Sequence, residues 1–142
     1  MLNYIEIKLV DEHATIPSKG SEHAVGYDMT CINVNHTQKY IEYDTGIAVA
    51  IPMGYVGLLF PRSSVTKMDL MLKNSVGVID PDYRGTIRFR YYQTTDSDET
   101  YNFGDKVGQI VFVPILTLDG FKIVGDLSET VRGIGGFGST GV

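Results

Sequence analysis

Thr86-Ile87-Arg88-Phe89-Arg90-Tyr91-Tyr92 alternates cleanly: Ile87, Phe89 and Tyr91 fall on one side, Thr86, Arg88, Arg90 and Tyr92 on the other. A period of two belongs to a β-strand, whose successive side chains point to opposite faces. The stretch predicts a strand with one apolar and one polar face. Outward from it the same rhythm recurs. Ile5, Ile7 and Leu9 share a face opposite Glu6 and Lys8, and short apolar runs fall at 47–51, 56–60, 107–115 and 121–124. Turn signals separate them at Pro52-Met53-Gly54, Asp80-Pro81-Asp82, 94–98, Phe103-Gly104-Asp105 and Asp119-Gly120. Many short strands so spaced predict an all-β barrel or sandwich. One segment breaks the pattern. Val65, Met68, Met71 and Leu72 fall on one helical face behind Ser63 and Ser64, which predicts a capped helix of two to three turns packed on the sheet.

A chain of 142 residues is one domain on the usual scale and can bury a core without a staple. The net charge of −5 and the lack of a basic run argue against sequence-independent nucleic-acid binding, so any phosphate site must be local. Cys31 is the only cysteine, which excludes an internal disulfide and a Cys-based zinc site. The N-terminus has no signal-peptide pattern, and no apolar run is long enough to span a membrane. The expectation is a cytoplasmic protein, or one acting in host cytoplasm if viral, with no membrane or nucleic-acid partner.

Four clusters carry chemistry. In Ala24-Val25-Gly26-Tyr27-Asp28 a carboxylate follows a glycine by two, which fits a turn as well as a site. Pro61-Arg62-Ser63-Ser64 joins a guanidinium, two hydroxyls and free backbone N–H groups, which fits an anion site or plain capping. The 74–85 stretch sets Asp80, Asp82 and Tyr83 behind a small apolar strand, where Gly77 marks a close approach of ligand or backbone. The last eleven residues, 132–142, hold five glycines with Arg132, Phe137, Ser139 and Thr140 and cannot bury enough surface to order alone. Gly133-x-Gly135-x-x-Gly138 mimics a dinucleotide fingerprint, but four residues follow it where a helix and an acidic residue are required. His13, His23 and His36 show no metal spacing and read as surface residues.

Taken in order, these clusters resemble the five motifs of the trimeric deoxyuridine triphosphate nucleotidohydrolases (dUTPases): 24–28, Arg62-Ser63-Ser64, 74–85, Gly104-Asp105-Lys106-Val107-Gly108-Gln109, and Arg132-Gly133-x-Gly135-Gly136-Phe137-Gly138-Ser139-Thr140-Gly141. Met29, Thr86 and Gly108 depart from the usual Leu, Glu and Ala, and the 94–101 loop is long and polar. The resemblance implies a jelly-roll-like β-barrel over 1–128 with one short helix, a tail over 129–142 that closes on a neighbouring site, and a homotrimer with active sites shared between subunits. It implies hydrolysis of dUTP to dUMP and pyrophosphate by water attack at the α-phosphorus, which keeps uracil out of DNA and supplies dUMP for thymidylate synthesis.

The resemblance also implies roles. Asp80 would hold and deprotonate the water, and Tyr83 would lie against the sugar and exclude a 2′-hydroxyl. Asn74, Gly77, Val78 and Ile79 would read uracil, with Arg88 lining the pocket. Arg62, Ser63, Ser64 and Gln109 would hold phosphates. Arg132, Ser139 and Thr140 would meet the γ-phosphate, with Phe137 stacked over uracil and Gly138 also in contact with the substrate. Mg²⁺ would ride on the phosphates and reach Asp28 through water. Two other readings use the same scaffold. A dCTP deaminase shares Arg62-Ser63-Ser64 and Ile79-Asp80-Pro81, but its catalytic Glu is missing from the strand that starts at Thr86 and its family lacks the glycine tail. A regulatory protein engaging a host-protein partner could use the 94–101 loop.

Overall fold

The computed structural model describes residues 4–139 and 141. Ten strands form two five-stranded sheets. In the first, β5 (Ile41–Ala50) is the spine. Its first half pairs with β4 (Asn33–His36), its second half with β1 (Glu6–Leu9), and its other edge with β9 (Thr86–Gln93), beyond which lies β7 (Leu70–Leu72). In the second sheet the order is β2 (Ser18–Lys19), β3 (Tyr27–Thr30), β10 (Lys106–Pro114), β6 (Tyr55–Phe60) and β8 (Gly77–Ile79). Every pairing is antiparallel.

The strand at 86–92 is as its alternation predicts: Ile87, Phe89 and Tyr91 are fully buried, while Arg88 and Arg90 are exposed. Its outer face carries an ion-pair ladder across to β5, with Arg88 on Asp44 (2.9 Å) and Glu42 (3.5 Å) and Arg90 on Glu42 (2.7 Å). One core spans both sheets, with Ile47, Val49 and Phe89 from the first and Met29, Leu59 and Ile110 from the second. The sheets face each other and are not closed by hydrogen bonds into the barrel that the resemblance implies.

Three local expectations are corrected. The helix expected over 65–72 is a single 3₁₀ turn, Ser63–Lys67, followed by strand β7. Strand pairing with β9 decides it: Leu70 and Leu72 are buried in alternation beside Tyr91, while Met71 points out to Tyr92. Neither Ser63 nor Ser64 caps the turn, since Arg62 occupies the N-cap and makes no side-chain capping bond. The apolar run at 121–124 forms no strand, and Phe121 and Ile123 are almost wholly exposed, because no strand among the described residues pairs with it. Ile7 and Leu9 of β1 are exposed as well. No helix among the described residues is long and apolar enough to cross a membrane.

Between the sheets stands a trio of tyrosines, Tyr43, Tyr91 and Tyr101, in mutual edge-to-face contact at 5.5–5.8 Å between ring centroids. The Tyr91 hydroxyl donates to the Val107 carbonyl (2.6 Å), and the Tyr101 N–H donates to the Tyr43 hydroxyl (3.2 Å). Burial pushes the Tyr43 phenol from 10.0 up to about 12 and the nearby Cys31 thiol from 9.0 up to about 11, and raises Tyr91 and Tyr101 also. The folded chain keeps these protons to higher pH than the unfolded chain, so this contribution to stability is complete below the unfolded values and is lost as pH rises through the folded ones. Thermal unfolding followed by circular dichroism should show a Tm that is level to about pH 9 and falls steadily from there to about pH 12. Tyr43→Phe should flatten that fall.

Candidate active site

A cationic platform closes one end of the second sheet. The register sets Asp28, Gln109 and Phe60 in one cross-strand row over β3, β10 and β6. Asp28 is buried, and each carboxylate oxygen takes one cation: Arg62 Nε donates to Oδ1 and Lys106 Nζ to Oδ2, both at 3.1 Å. Arg62 is thereby oriented by its Nε, which leaves the outer nitrogens of a planar five-donor group available for oxygens. Ser63 and Ser64 follow on the 3₁₀ turn with exposed side chains. Lys106 starts β10 immediately before a bulge at Val107, and bulges re-aim the side chains beside them.

Gln109 does not point freely to this platform. Its Nε2 donates to the Pro61 carbonyl (3.0 Å) and so fixes the chain immediately before Arg62. Gly26 makes that possible, because a Cβ there would overlap the Gln109 amide. Gly26, read from sequence as part of a turn, is a spacer for Gln109. Lys106 has no role in the sequence reading, although it lies inside the fourth motif. Its signal was the one cation in Gly104–Gln109, next to the strand bulge that sequence does not reveal.

The second group lies on β8, an edge strand whose outer N–H and C=O groups have no neighbouring strand. Gly77 is buried because Leu59 packs where a Cβ would stand (2.9 Å), so the close approach is a core side chain. Val78 is exposed and Ile79 half-buried. Asn74 is exposed ahead of Ser75, which holds a left-handed φ of 63°. Asp80 starts a turn closed by the Tyr83 N–H to its carbonyl (3.1 Å), and its exposed carboxylate has no partner among the described residues. Tyr83 folds over Gly85, its hydroxyl donating to the Thr86 carbonyl (3.0 Å). Arg88 stands on the outer face of β9, held by Asp44 and Glu42.

These two groups do not meet in one chain. The β6–β8 register runs Leu59 to Gly77, Leu58 to Val78 and Gly57 to Ile79, so its continuation sets Asp80 beside Val56. Arg62 is six positions along from there, about 20 Å at ~3.3 Å per residue. The tail is a third, separate piece. Arg132 bonds only locally, to the Gly135 carbonyl (2.9 Å), Phe137 is fully exposed at a φ of 49°, and Gly138 and Ser139 are exposed. Thr140 lies outside the described residues.

For a metal, no cluster of three or more His, Cys, Asp or Glu side chains exists among the described residues. A single buried carboxylate already holding two cations does not fit an all-protein Mg²⁺ cage. It fits an ion carried on phosphate oxygens and met through water.

A twin-sheet β domain with a cationic platform and a free strand edge defines a binder of phosphorylated ligands. The dUTPase family profile matches residues 12–141. The deoxyuridine 5'-triphosphate nucleotidohydrolase of Escherichia phage T5 is 41% identical, across 96% of this chain and 98% of that protein. A mutant dUTPase of Staphylococcus bacteriophage 80alpha, solved with dUpNHpp, is 27% identical with a TM-score of 0.85, covering 99% of this chain and 100% of that one. A mutant dUTPase from phage phi11 of S. aureus, 28% identical with a TM-score of 0.76 over 89% of this chain and 100% of that one, is described as coordinating a structural Mg(II) ion. The chain belongs to the dUTPase family.

Gly26→Ala tests the spacer role. The protein should fold, but Gln109 must leave Pro61 and free the Arg62 segment, so KM for the nucleotide should rise by about tenfold, the effect of losing one positioned charge-assisted hydrogen bond.

Proposed function

We infer that the protein hydrolyses dUTP to dUMP and pyrophosphate, at sites assembled between subunits of a homotrimer. Family membership and the five motifs in order support the reaction. The observation that carries the assembly is the β6–β8 register, whose continuation sets Asp80 and Arg62 about 20 Å apart, when a base must come within ~3 Å of the proton it takes. The exposed apolar run of Leu116, Leu118, Phe121 and Ile123 supports association with further copies.

In this reading the free edge of β8 from Gly77 to Ile79, with the Asn74 amide, reads uracil through fixed donors and acceptors, so that cytosine leaves polar groups unpaired. Tyr83, already braced on its own hairpin, occupies the space of a ribose 2′-hydroxyl. The Asp80 carboxylate, without a protein partner, takes a proton from the water as the water oxygen bonds to the α-phosphorus. The bond from that phosphorus to the bridging oxygen breaks, and pyrophosphate leaves. Arg62, Ser63 and Ser64 of a neighbouring subunit hold the phosphates, and Gln109 acts from behind by fixing Pro61. When bound, Mg²⁺ would supply charge neutralisation on the phosphates, and Asp28 is the carboxylate that would hold it through water. The 129–142 tail of another subunit closes over the site, with Phe137 on uracil, Gly138 against the substrate, and Arg132, Ser139 and Thr140 at the γ-phosphate.

Pyrophosphate release with dUTP tests the reading, and rates on UTP or dCTP should be lower by about a hundredfold or more. Comparable turnover of UTP would remove Tyr83 from its role. Asp80→Asn should lose about a hundredfold or more in kcat with little change in KM.

The shared site has its own signature. Asp80→Asn and Arg62→Ala should each be inactive alone. Unfolded together one-to-one and refolded, they should regain about a quarter of wild-type activity, because each site then draws its two contributions independently from different subunits. No recovery from a properly mixed trimer would rule out the shared arrangement.

A further inference from the structure

Tyr83, set against the sugar in the proposed site, is 41% exposed, and its ring is held at the far end by the hydroxyl, which donates to the Thr86 carbonyl (3.0 Å). Thr86 opens β9, and its side chain is held in turn by the first sheet. Its Oγ1 donates to Asp44 Oδ2 (3.0 Å) and accepts from Arg88 Nε (3.1 Å), which also pairs with that carboxylate oxygen (2.9 Å). Opening a strand does not need this hydroxyl, since Val suits a strand equally well. The bonds of Oγ1 call for another reason.

The irregularity of β5 supplies one. Asp44 pairs with Arg88 and Ala48 with Thr86, so three residues of β5 lie opposite the single residue Ile87 of β9. A regular ladder cannot run through such a bulge, and side chains take over its bonds. Thr45 Oγ1 donates to the Ile87 carbonyl (2.8 Å), and Asp44 Oδ1 accepts the N–H of Gly46 (2.9 Å), which holds a left-handed φ of 63°. The two oxygens of Asp44 thus do different work: one shapes the bulge, and the other holds Thr86 to it. The Asp44 side chain is only 19% exposed, so both bonds form largely out of bulk water, where they are stronger. A continuous set of contacts runs from the spine of the first sheet through Asp44 and Thr86 to the Tyr83 hydroxyl.

We propose that Asp44 and Thr86 are positioning residues for the choice between deoxyribose and ribose: they fix the Thr86 carbonyl, and through it the Tyr83 ring, on the first sheet. The inference rests on the reading of Tyr83 as the residue that occupies the space of a 2′-hydroxyl. A ring rejects one added oxygen only if it cannot step aside. A half-exposed tyrosine held only at its backbone could change rotamer and let the oxygen in, and a bond at the far end of the ring removes that freedom. Neither Asp44 nor Thr86 touches the substrate. The effect is confined to the sugar, because uracil is read on β8 and the Asp80 turn is closed by the Tyr83 N–H, not by its hydroxyl.

Thr86→Val keeps the branched side chain and loses both bonds of Oγ1. The ratio of kcat/KM on dUTP to that on UTP should fall about three- to tenfold, the size of one hydrogen bond, while kcat on dUTP and the ratio of dUTP to dCTP stay within about twofold. Thr86→Ser, which keeps the hydroxyl, should hold the wild-type ratio. Tyr83→Phe cuts the same link at its other end and should give a like fall, and the double variant should fall no further than Tyr83→Phe alone. An unchanged dUTP-to-UTP ratio in either single variant would overturn the proposal. So would an equal loss of discrimination against dCTP, the mark of a site loosened in general, or full additivity in the double variant, or a Thr86→Ser as poor as Thr86→Val. Tyr83→Ala separates the two layers. If it leaves the ratio at the wild-type value, the reading of Tyr83 fails and this inference with it. If it lowers the ratio while Thr86→Val does not, the brace alone is overturned.

Discussion

The hydrogen bond from the Tyr91 hydroxyl to the Val107 carbonyl is where the two sheets become one molecule. Val107 is the extra residue of the bulge in β10, so its carbonyl leaves the regular ladder and needs a partner in a dry interior. Tyr91 provides it from the opposite sheet. Gly108, the next residue, meets the Phe89 ring where any Cβ would overlap it, so the two alternating residues of β9 grip the bulge from both sides. Once the bulge is fixed, Lys106 on one side faces Asp28, and Gln109 on the other faces Pro61. The platform is in this sense a product of the core.

The charges follow the same hierarchy. Asp28 holds Arg62 and Lys106, but both cations keep about a third or more of their side chains exposed, 35% and 42%. Pairs so placed add little to folding. Their value lies in orientation: one buried anion aligns two cations at a position where a more highly charged anion can take them over. The ladder of Arg88, Arg90, Glu42 and Asp44 on the first sheet is a different arrangement, with carboxylates and guanidinium groups matched in number, and it keeps Arg88 engaged on that face.

What could be read from the chain depended on how far each residue's partner lies. The 86–92 strand was legible because alternation is a local property and its face is buried within the chain. The helix expected at 65–72 failed because the face of Val65, Met68, Met71 and Leu72 leaves out Leu70, and the pairing of Leu70 and Leu72 with β9, some twenty residues away, puts that end of the segment in a strand. The run at 121–124 has strand composition but no strand to join. In the site, the residue types at Asp80, Tyr83 and Arg62 were visible as motifs. The work of Gly26 and Lys106 was not, since it consists of contacts between residues 83 and 78 positions apart.

Strand β8 leaves the chain with a problem that its site does not mention. An unpaired strand edge at the margin of a sheet is an invitation to any other strand, including that of a sister molecule. This edge must stay open if it is to read a ligand, so it cannot be covered or charged. It is instead kept to three residues, Gly77–Ile79, bounded by the left-handed Ser75 before it and by Pro81, which has no N–H to offer, after it. Three residues offer only a short row of donors and acceptors and leave little length for another strand to pair along. The brevity of the strand limits what any other strand could gain by pairing along it, and it sets the size of whatever the edge could hold to something small.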